Sequence, residues 1–405
     1  MDITINKQDP KIIFGPSEFL CKARSLRDLV KAEAIKPENA QNTAAHVVDE
    51  FRQAGFYWML APKSVGGFDT GIVEFCEVVE ELASADSSTA WSMMANCVAT
   101  MVASNFCTDE HVERMFSGKR KPIMAATYAP SGKAIPDGGD YLCSGRYGFG
   151  SGIMNADWVS SAFVLNENGN MVISDDGKPR VLGAFIEASK VKILGNWDVV
   201  GLQSTGSYDY EVPEQKISKS WSFNQYWTEP KRASMAATLG TMIGACSGHT
   251  AELLGIARRS LHEAARAATL KKRLYATQST SDTPVFQLEF TRYETLFQAA
   301  RALFYNVLKA ADEKAAKNIS PNAEEIQRVR QVATWVHQVC RDITVFSFGS
   351  VSSSIRQPSI LGRNLVDAAV GVQHLIVSQM TMIEVAPCII EKWAEDSAQS
   401  VSVTI

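Results

Sequence analysis

A stretch that alternates glycine with aromatic residues is the part of this sequence best suited to chemistry. Glycine recurs in the segment that ends at Trp158, at positions 145, 148, 150 and 152. Because glycine carries no Cβ, the backbone there can lie flat against a planar partner. Phe149 and Trp158 supply apolar walls, and Ser151 supplies one hydroxyl between two glycines. Taken alone, the pattern favours an ordinary β-hairpin.

Asp367 and His374 are a second pair whose spacing could serve proton chemistry. They are seven positions apart, about two helical turns, so a continuous helix from 364 to 384 would place both side chains on one face. An imidazole can donate or accept a proton near neutral pH. Taken alone, His374 is better interpreted as a core histidine that local hydrogen bonds satisfy.

The remaining histidines and the cysteines do not indicate a metal centre. The other histidines lack the spacing of metal ligands, at positions 46, 111, 249, 262 and 337. The eight cysteines lie far apart, mostly inside apolar segments, and form no Cys-x-x-Cys pair. We therefore expect no metal site and reduced core thiols, as in a cytoplasmic protein.

Composition narrows the function classes. The chain has 405 residues, of which 46% are hydrophobic and 21% charged, enough for two or three domains. Its net charge of −4 provides no basic field for nucleic acid or for an anionic membrane. No apolar run is long enough to span a bilayer, and the first residues lack the basic start of a leader peptide.

The pattern of segments predicts an α+β fold in three parts. Helical spacing dominates residues 1–121, short β-type runs with turn residues dominate 122–230, and helices return in 231–405. We expect an N-terminal helical domain, a middle antiparallel β-domain and a C-terminal four-helix bundle. The four helices of the bundle are predicted at 253–274, 287–314, 324–346 and 364–384.

This order of segments, with three motifs, resembles the acyl-CoA dehydrogenase fold. The motifs are Asp86–Trp91 before a buried helix, Arg146–Gly152 followed by Ala156–Trp158, and Trp197–Asp209. More narrowly, the chain looks like the flavin-dependent monooxygenases built on that fold, which take reduced flavin from a separate reductase. Among these it is most similar to the indigo-forming indole oxygenases of bacteria.

The resemblance implies a binding surface for reduced FAD, with FMN the weaker alternative. Ser151 would lie at the flavin N5, where its hydroxyl accepts the N5–H hydrogen bond of the reduced flavin and of its C4a-hydroperoxide. Other flavin contacts are expected from two strand segments, at Thr127, Tyr128, Ser131, Gly132, Phe149 and Gly150.

The resemblance also implies a substrate side. His374 would approach flavin and substrate from the last helix, as an acid or a hydrogen-bonding group, and Asp367 would orient it or anchor the helix. Trp91, Met94 and Asn96 are expected to line the substrate pocket. Relatives that act on phenols often carry a histidine about two turns after the tryptophan, where this chain has Ala95–Thr100. Indole, which needs no deprotonation, is therefore the favoured substrate.

Two further classes remain open. A true acyl-CoA dehydrogenase needs a carboxylate base near His374, and the next glutamate is Glu384, although some members draw their base from an earlier helix. A flavin-free binding or scaffold protein on the same fold is the third possibility. The sequence departs from the family pattern at two positions. Val366 stands before Asp367 where relatives usually have an arginine, and Gln203 also stands where relatives usually have an arginine.

The resemblance and the motifs imply partners as well. No Gly-x-Gly-x-x-Gly follows a predicted strand, so an NAD(P)H-dependent flavin reductase must supply the reduced flavin, and O2 is the co-substrate. The fold usually assembles as a homotetramer, a dimer of dimers. The loop that contains Ser353 and Arg356 is expected to reach a neighbouring subunit's flavin phosphates.

Overall fold

The computed structural model describes residues 17–36, 41–224, 229–272 and 277–400, with side chains up to residue 395. The first residues, which were expected to lack the features of a leader peptide, lie outside the described residues. The described α-helices are Glu18–Ala34 (α1), Ala45–Ala54 (α2), Ile72–Ala83 (α3), Ser87–Phe106 (α4), Asp109–Phe116 (α5), Met235–Leu239 (α6), Thr241–Leu270 (α7), Pro284–Ala315 (α8), Ala323–Gly349 (α9), Ile360–Gly371 (α10) and Met380–Ser400 (α11).

All described strands lie between the helices of the two ends of the chain. They are Met124–Ala126 (β1), Gly132–Asp137 (β2), Asp140–Gly150 (β3), Trp158–Glu167 (β4), Asn170–Met171 (β5), Val181–Glu187 (β6), Lys192–Ile193 (β7), Tyr208–Ser218 (β8) and Phe223–Asn224 (β9). They form one sheet in the order β7-β8-β3-β2-β4-β6-β9, with β1 and β5 paired to β4.

The sheet is mixed, so the expectation of a purely antiparallel domain was wrong for two pairs. β1 and β2 each run parallel to β4, with Met124 opposite Trp158 and Gly132 opposite Phe163. The cause is the path of the chain. β3 reverses direction beside β2, and β4 reverses again before it pairs with the other edge of β2. Two reversals leave β4 parallel to β2.

Helix α4 is the buried element against which the rest of the site is built. Asp86 caps its first turn by accepting from the Thr89 backbone N–H at 2.9 Å and from the Thr89 hydroxyl at 2.7 Å. Every α4 residue except Ala95 is buried, as its nearly uniform apolar sequence predicts. The helix packs against α3, α7 and β1, which places it between the helical parts and the sheet.

The last predicted helix, 364–384, is two elements rather than one. Helix α10 ends at Gly371, and α11 begins only at Met380. Gly371 packs tightly, since a Cβ there would lie 2.9 Å from the Leu253 side chain. His374 stands in the intervening turn and accepts from the Ile376 N–H at 3.4 Å. Asp367 and His374 therefore do not share a helix face.

Among the described residues, no single helix is long and apolar enough to cross a membrane. Within the described parts of the chain, one bent pair, Ile360–Gly371 with Leu375–Glu395, passes the test of length and composition together, across a bend of 84°.

Candidate active site

The end of β3 presents Ser151 on a strained turn. Phe149 has a φ of 60° and Gly152 a φ of 65°, which bend the chain sharply on either side of Ser151. The Gly152 N–H donates to the Thr205 carbonyl at 3.2 Å. A Cβ on Gly152 would lie 2.4 Å from Asn96 Oδ1, so only glycine fits against α4. The turn thus holds the Ser151 hydroxyl at the junction of sheet and helix.

Ser151 belongs to a chain of hydrogen bonds that begins at a tryptophan. Trp91 Nε1–H donates to Ser151 Oγ at 3.1 Å, and Ser151 Oγ lies 2.8 Å from Ser207 Oγ. Ser207 Oγ donates to Thr205 Oγ1 at 2.9 Å, and Thr205 donates to the Leu202 carbonyl at 2.7 Å. The predicted Ser151 site is therefore tied to the loop that precedes β8.

Asp367 anchors that loop rather than orienting His374. Its carboxylate accepts from the Leu202 N–H at 2.6 Å and from the Ser87 hydroxyl, and Arg363 lies 3.8 Å away. Arg363 also pairs with Asp86 at 2.6 Å. Burial raises the pKa of Asp367, and Arg363 with the two donors opposes that increase. One buried carboxylate therefore joins α10, the start of α4 and the loop.

On the other side of Trp91 stand two stacked imidazoles. The Trp91 ring lies 4.4 Å from the ring of His249 and 5.8 Å from that of His374, between centroids. The two imidazoles are 4.1 Å apart at an interplanar angle of 30°. Ser151 and His374, from distant parts of the chain, thus both contact the Trp91 side chain.

Both imidazoles are held neutral by their surroundings. Burial lowers the pKa of His249, and the neighbouring His374 and His337 lower it further. Desolvation also lowers the pKa of His374. Since the Ile376 N–H donates to His374 Nδ1, the hydrogen of the neutral ring sits on Nε2. His374 can therefore offer an N–H towards the pocket.

Glu252 is a buried carboxyl behind this aromatic wall. It is fully buried, and neither of its oxygens has a hydrogen-bond partner among the described residues. A Cβ on Gly371 would lie 3.7 Å from Glu252 Oε2 and 3.8 Å from the Trp91 ring. Burial raises the pKa of Glu252 well above its ordinary value, and Asp367 and Asp86 raise it further. Glu252 is accordingly a neutral acid at neutral pH.

This assignment makes a stability prediction for Glu252→Gln. Below a pH of about 4.5 both folded and unfolded chains carry the proton. Above it the unfolded chain loses the proton while the folded chain keeps it, so the wild type loses stability by up to about 1.4 kcal/mol per pH unit. In urea unfolding between pH 5 and 8, the free energy of unfolding of Glu252→Gln should increase relative to that of the wild type as the pH rises. A difference between Glu252→Gln and the wild type that stays constant over this pH range would contradict the assignment.

The strand segments predicted to hold flavin border the same region. Gly150 and Thr127 both lie beside Tyr210. A Cβ on Gly150 would lie 3.2 Å from the Tyr210 ring. The Tyr210 hydroxyl lies 3.5 Å from the Ser160 carbonyl. The Thr127 N–H donates to that same carbonyl at 3.1 Å. Phe149 is 75% exposed and meets Trp197 edge-on at 6.2 Å.

Other predicted flavin residues lie farther from this cluster. Tyr128 and Ser131 are exposed on the connection between β1 and β2. A Cβ on Gly132 would lie 2.1 Å from the Tyr147 hydroxyl, so the lack of a side chain there serves packing inside the sheet. Their contact with a flavin stays a prediction.

Ser353 and Arg356 lie in a 3-10 turn, Ser352–Ile355, and the residue that follows it. This turn packs against α9 and α10. The predicted role of Ser353 and Arg356 at a neighbouring subunit's flavin stays a prediction.

Three residues of α4 were predicted to line the substrate pocket. Of these, Trp91 is the one that contacts Ser151, His249 and His374. Met94 is buried against Gly248, where a Cβ would lie 2.6 Å from its Cγ. Asn96 is fully buried and donates to the Met124 carbonyl at 2.8 Å, while its Oδ1 has no partner. Asn96 thus has an unused acceptor for an indole N–H, but in this conformation Gly152 covers it.

The residues present fit a flavin at the Ser151 turn. Ser151 is only half-buried, Thr127 lies beside Tyr210, and Phe149 and Val200 leave apolar surface open nearby. A planar ring with polar edges would cover these apolar groups and satisfy the polar ones. A cavity of about 550 Å³ opens elsewhere, lined in part by Tyr141 and Lys219, and contains none of the predicted site residues.

Sequence reasoning missed four residues that the structure brings to this site. They are Thr205, Ser207, His249 and Glu252, which the hydrogen bonds and ring contacts above define. Thr205 and Ser207 lie inside the Trp197–Asp209 motif, which was the only available signal. His249 was considered only for metal-ligand spacing. Among the described residues no group of three or more potential ligands could hold a metal ion.

Two family profiles match this chain. Acyl-CoA dehydrogenase, N-terminal domain, matches residues 23–118, and Acyl-CoA dehydrogenase, C-terminal domain, matches residues 247–379. Together they cover more than half of the sequence and flank the sheet that carries Ser151. The chain belongs to the acyl-CoA dehydrogenase family.

Several relatives of this acyl-CoA dehydrogenase family member are named as monooxygenases or hydroxylases. It is 27% identical to the Indole-3-acetate monooxygenase of Acinetobacter baumannii over 353 residues, 85% of this chain and 87% of that protein. It is 25% identical to the FADH(2)-dependent resorcinol hydroxylase, oxygenase component, of Rhizobium sp. over 201 residues, 48% of this chain and 47% of the other. The comparisons support the expected flavin monooxygenase over an acyl-thioester dehydrogenase.

Two solved structures confirm the fold. XiaF from Streptomyces sp., in complex with FADH2 and glycerol, has a TM-score of 0.83 at 16% identity and covers 92% of this chain and 95% of its own. Indole-bound TdsC from Paenibacillus sp. A11-2 has a TM-score of 0.77 at 19% identity, covering 92% and 97%. The predicted α+β arrangement of helices, sheet and helical bundle is thereby confirmed.

Proposed function

We propose that this chain is the oxygenase component of a two-component flavin monooxygenase that uses reduced FAD and O2 to oxygenate a small aromatic substrate. The observation that carries the proposal is the meeting of Ser151 and His374 at Trp91. A hydrogen-bond acceptor for one partner and an N–H donor for another then both lie next to Trp91. The names of the relatives support the same activity.

The chain's own residues bind and orient, while the cofactor supplies the redox chemistry. Bound reduced flavin supplies the electrons that activate O2. Ser151 would accept a hydrogen bond from the flavin N5–H, and Phe149 and Trp197, which meet edge-on, would offer apolar contact to the ring. Thr127 would hold a polar edge of the ring. His374 Nε2–H would donate a hydrogen bond to the substrate or to the oxygen that is transferred.

We propose indole as the substrate, because the pocket wall is aromatic and uncharged. Trp91, His249 and His374 present rings, and both imidazoles are neutral. Arg363, the cation of this region, is already held by Asp86 and Asp367. A neutral ring therefore fits better than one that carries a carboxylate. The indole bound in one related structure supports the neutral ring, whereas the indole-3-acetate in the name of one relative supports only the indole ring itself, since acetate adds a carboxylate.

We propose further that an NAD(P)H-dependent flavin reductase supplies the FAD, that FMN is the weaker alternative, and that the protein works in the cytoplasm as a homotetramer. The term oxygenase component in a relative's name supports a separate reductase. In a tetramer, the Ser353 and Arg356 turn would reach a neighbouring subunit's flavin phosphates.

The test is a turnover assay with a generic flavin reductase. Purified protein, FAD, NADH and O2 are incubated with indole, with a phenol or with an acyl-CoA. We expect an oxygenated indole product and none with acyl-CoA. Anaerobic bleaching of bound oxidised FAD by acyl-CoA, without oxygenated indole, would contradict the proposal and favour a dehydrogenase.

His374→Ala is expected to reduce oxygenated product per reduced FAD consumed by about 100-fold, a usual size for loss of a positioned proton donor. The measurement is product against hydrogen peroxide in single-turnover reactions. The control is Leu375→Ala, since Leu375 is 83% exposed in the same turn. Unchanged coupling in His374→Ala would remove the imidazole from the chemistry.

A further inference from the structure

The hydrogen-bond chain beneath Ser151 has a fixed direction. The Leu202 carbonyl carries no hydrogen, so Thr205 must donate to it. Thr205 then offers only lone pairs, so Ser207 donates to Thr205. The single hydrogen of Ser207 is thereby used, and in the 2.8 Å contact Ser151 must be the donor.

The direction of this chain leaves Ser151 as an acceptor only. Its hydrogen points to Ser207, and one lone pair accepts from Trp91 Nε1–H. The remaining lone pair is what Ser151 can present to a bound molecule. Replacing any later hydroxyl of the chain would release the Ser151 hydrogen and restore its ability to donate.

Flavin N5 changes its hydrogen-bonding character with redox state. Reduced flavin carries a hydrogen on N5 and donates, whereas oxidised flavin has an imine nitrogen whose lone pair accepts. Opposite an acceptor-only hydroxyl, the reduced form gains a hydrogen bond and the oxidised form meets a second lone pair. One hydrogen bond made or lost changes a binding constant by roughly five- to tenfold.

We propose that Ser207 and Thr205 are positioning residues that fix the polarity of Ser151 and so make the site prefer reduced over oxidised flavin. The inference rests on the proposed flavin function and adds two residues to it. Such a preference suits an oxygenase that takes up reduced flavin and must release oxidised flavin to a reductase.

The test compares dissociation constants of oxidised and reduced FAD, the latter under anaerobic conditions, by equilibrium dialysis. The ratio of interest is the dissociation constant of oxidised FAD divided by that of reduced FAD. In Ser207→Ala and in the near-isosteric Thr205→Val, this ratio should fall about tenfold, mainly because oxidised FAD binds more tightly. Ser207→Thr keeps the hydroxyl and should keep the ratio. Ser204→Ala is the matched control, because Ser204 is buried in the same loop but its hydroxyl is not part of the chain.

A second measurement needs no flavin. The indole N–H of Trp91, assigned with Trp91→Phe, reports on Ser151 in the NMR spectrum of the cofactor-free protein. Its resonance should shift in Ser207→Ala and Thr205→Val and stay in place in Ser204→Ala. A resonance that does not respond to either variant would contradict the coupling.

The outcomes separate this inference from the proposed function. If the wild type prefers reduced FAD and both variants keep that ratio, the inference is overturned and the function stands. Equal affinity of the wild type for both redox states also overturns the inference. If the wild type binds neither FAD nor FMN in either state, both are overturned.

Discussion

Ser151→Ala is expected to divert reduced FAD from product to hydrogen peroxide, with product per flavin falling about tenfold or more. The variant removes the acceptor that we propose for the flavin N5–H, and it also leaves Trp91 Nε1–H and Ser207 without their partner. Loss of one buried hydrogen bond, with a group left unsatisfied, costs about 1–3 kcal/mol, and 1.4 kcal/mol corresponds to a factor of ten. Product and peroxide are measured together in single-turnover reactions with indole.

The matched control for this experiment is Ser160→Ala. Ser160 is a fully buried serine of β4, and its hydroxyl has no hydrogen-bond partner. Its removal tests whether any serine lost from the sheet impairs coupling. Equal ratios of product to peroxide in Ser151→Ala and the wild type would exclude Ser151 from the reaction, whatever the fold of the site.

Asp367→Ala is expected to give the largest loss of stability, about 3 kcal/mol in the free energy of unfolding. It leaves the Leu202 N–H and the Ser87 hydroxyl without an acceptor in a buried place and removes one partner of Arg363. Breaking such buried networks usually costs about 3–5 kcal/mol, and Arg363 keeps Asp86, which places the expectation at the lower end. Urea unfolding of the two proteins measures the difference.

The same variant should also disturb the site through the loop. Without Asp367 the Leu202 backbone loses its anchor, and Leu202 is where the Ser151 chain ends. Peroxide release should therefore rise in Asp367→Ala. Asp367→Asn keeps an oxygen for the Leu202 N–H and should lose about 1 kcal/mol or less. A fully stable Asp367→Ala with normal coupling would contradict the anchoring role.

Some of this site could be predicted because its residues follow local rules. Asp86 is a capping residue before an apolar run, so the start of α4 could be predicted from the sequence. The glycines around Ser151 predicted a close approach, and Gly152 fits against Asn96 with a positive φ. These features depend on backbone geometry that nearby residues determine.

Other features depend on contacts between distant segments. The apolar pattern of 364–384 continues through the end of α10, and that end coincides with the packing of Gly371 on Leu253. His249 reaches Trp91 only because α7 crosses α4, and no spacing in the sequence indicates this. Serines are common in loops, so Ser207 acquires meaning only from its partners. Tertiary packing decides each of these cases.

The most direct test of the central claim is a crystal structure of the protein with reduced FAD, grown and frozen without oxygen. We expect the flavin N5 at about 3 Å from Ser151 Oγ, with Trp91 and His374 beside the bound flavin. A flavin bound in another place, such as the cavity beside Tyr141 and Lys219, with Ser151 bonded only to Trp91 and Ser207, would contradict it.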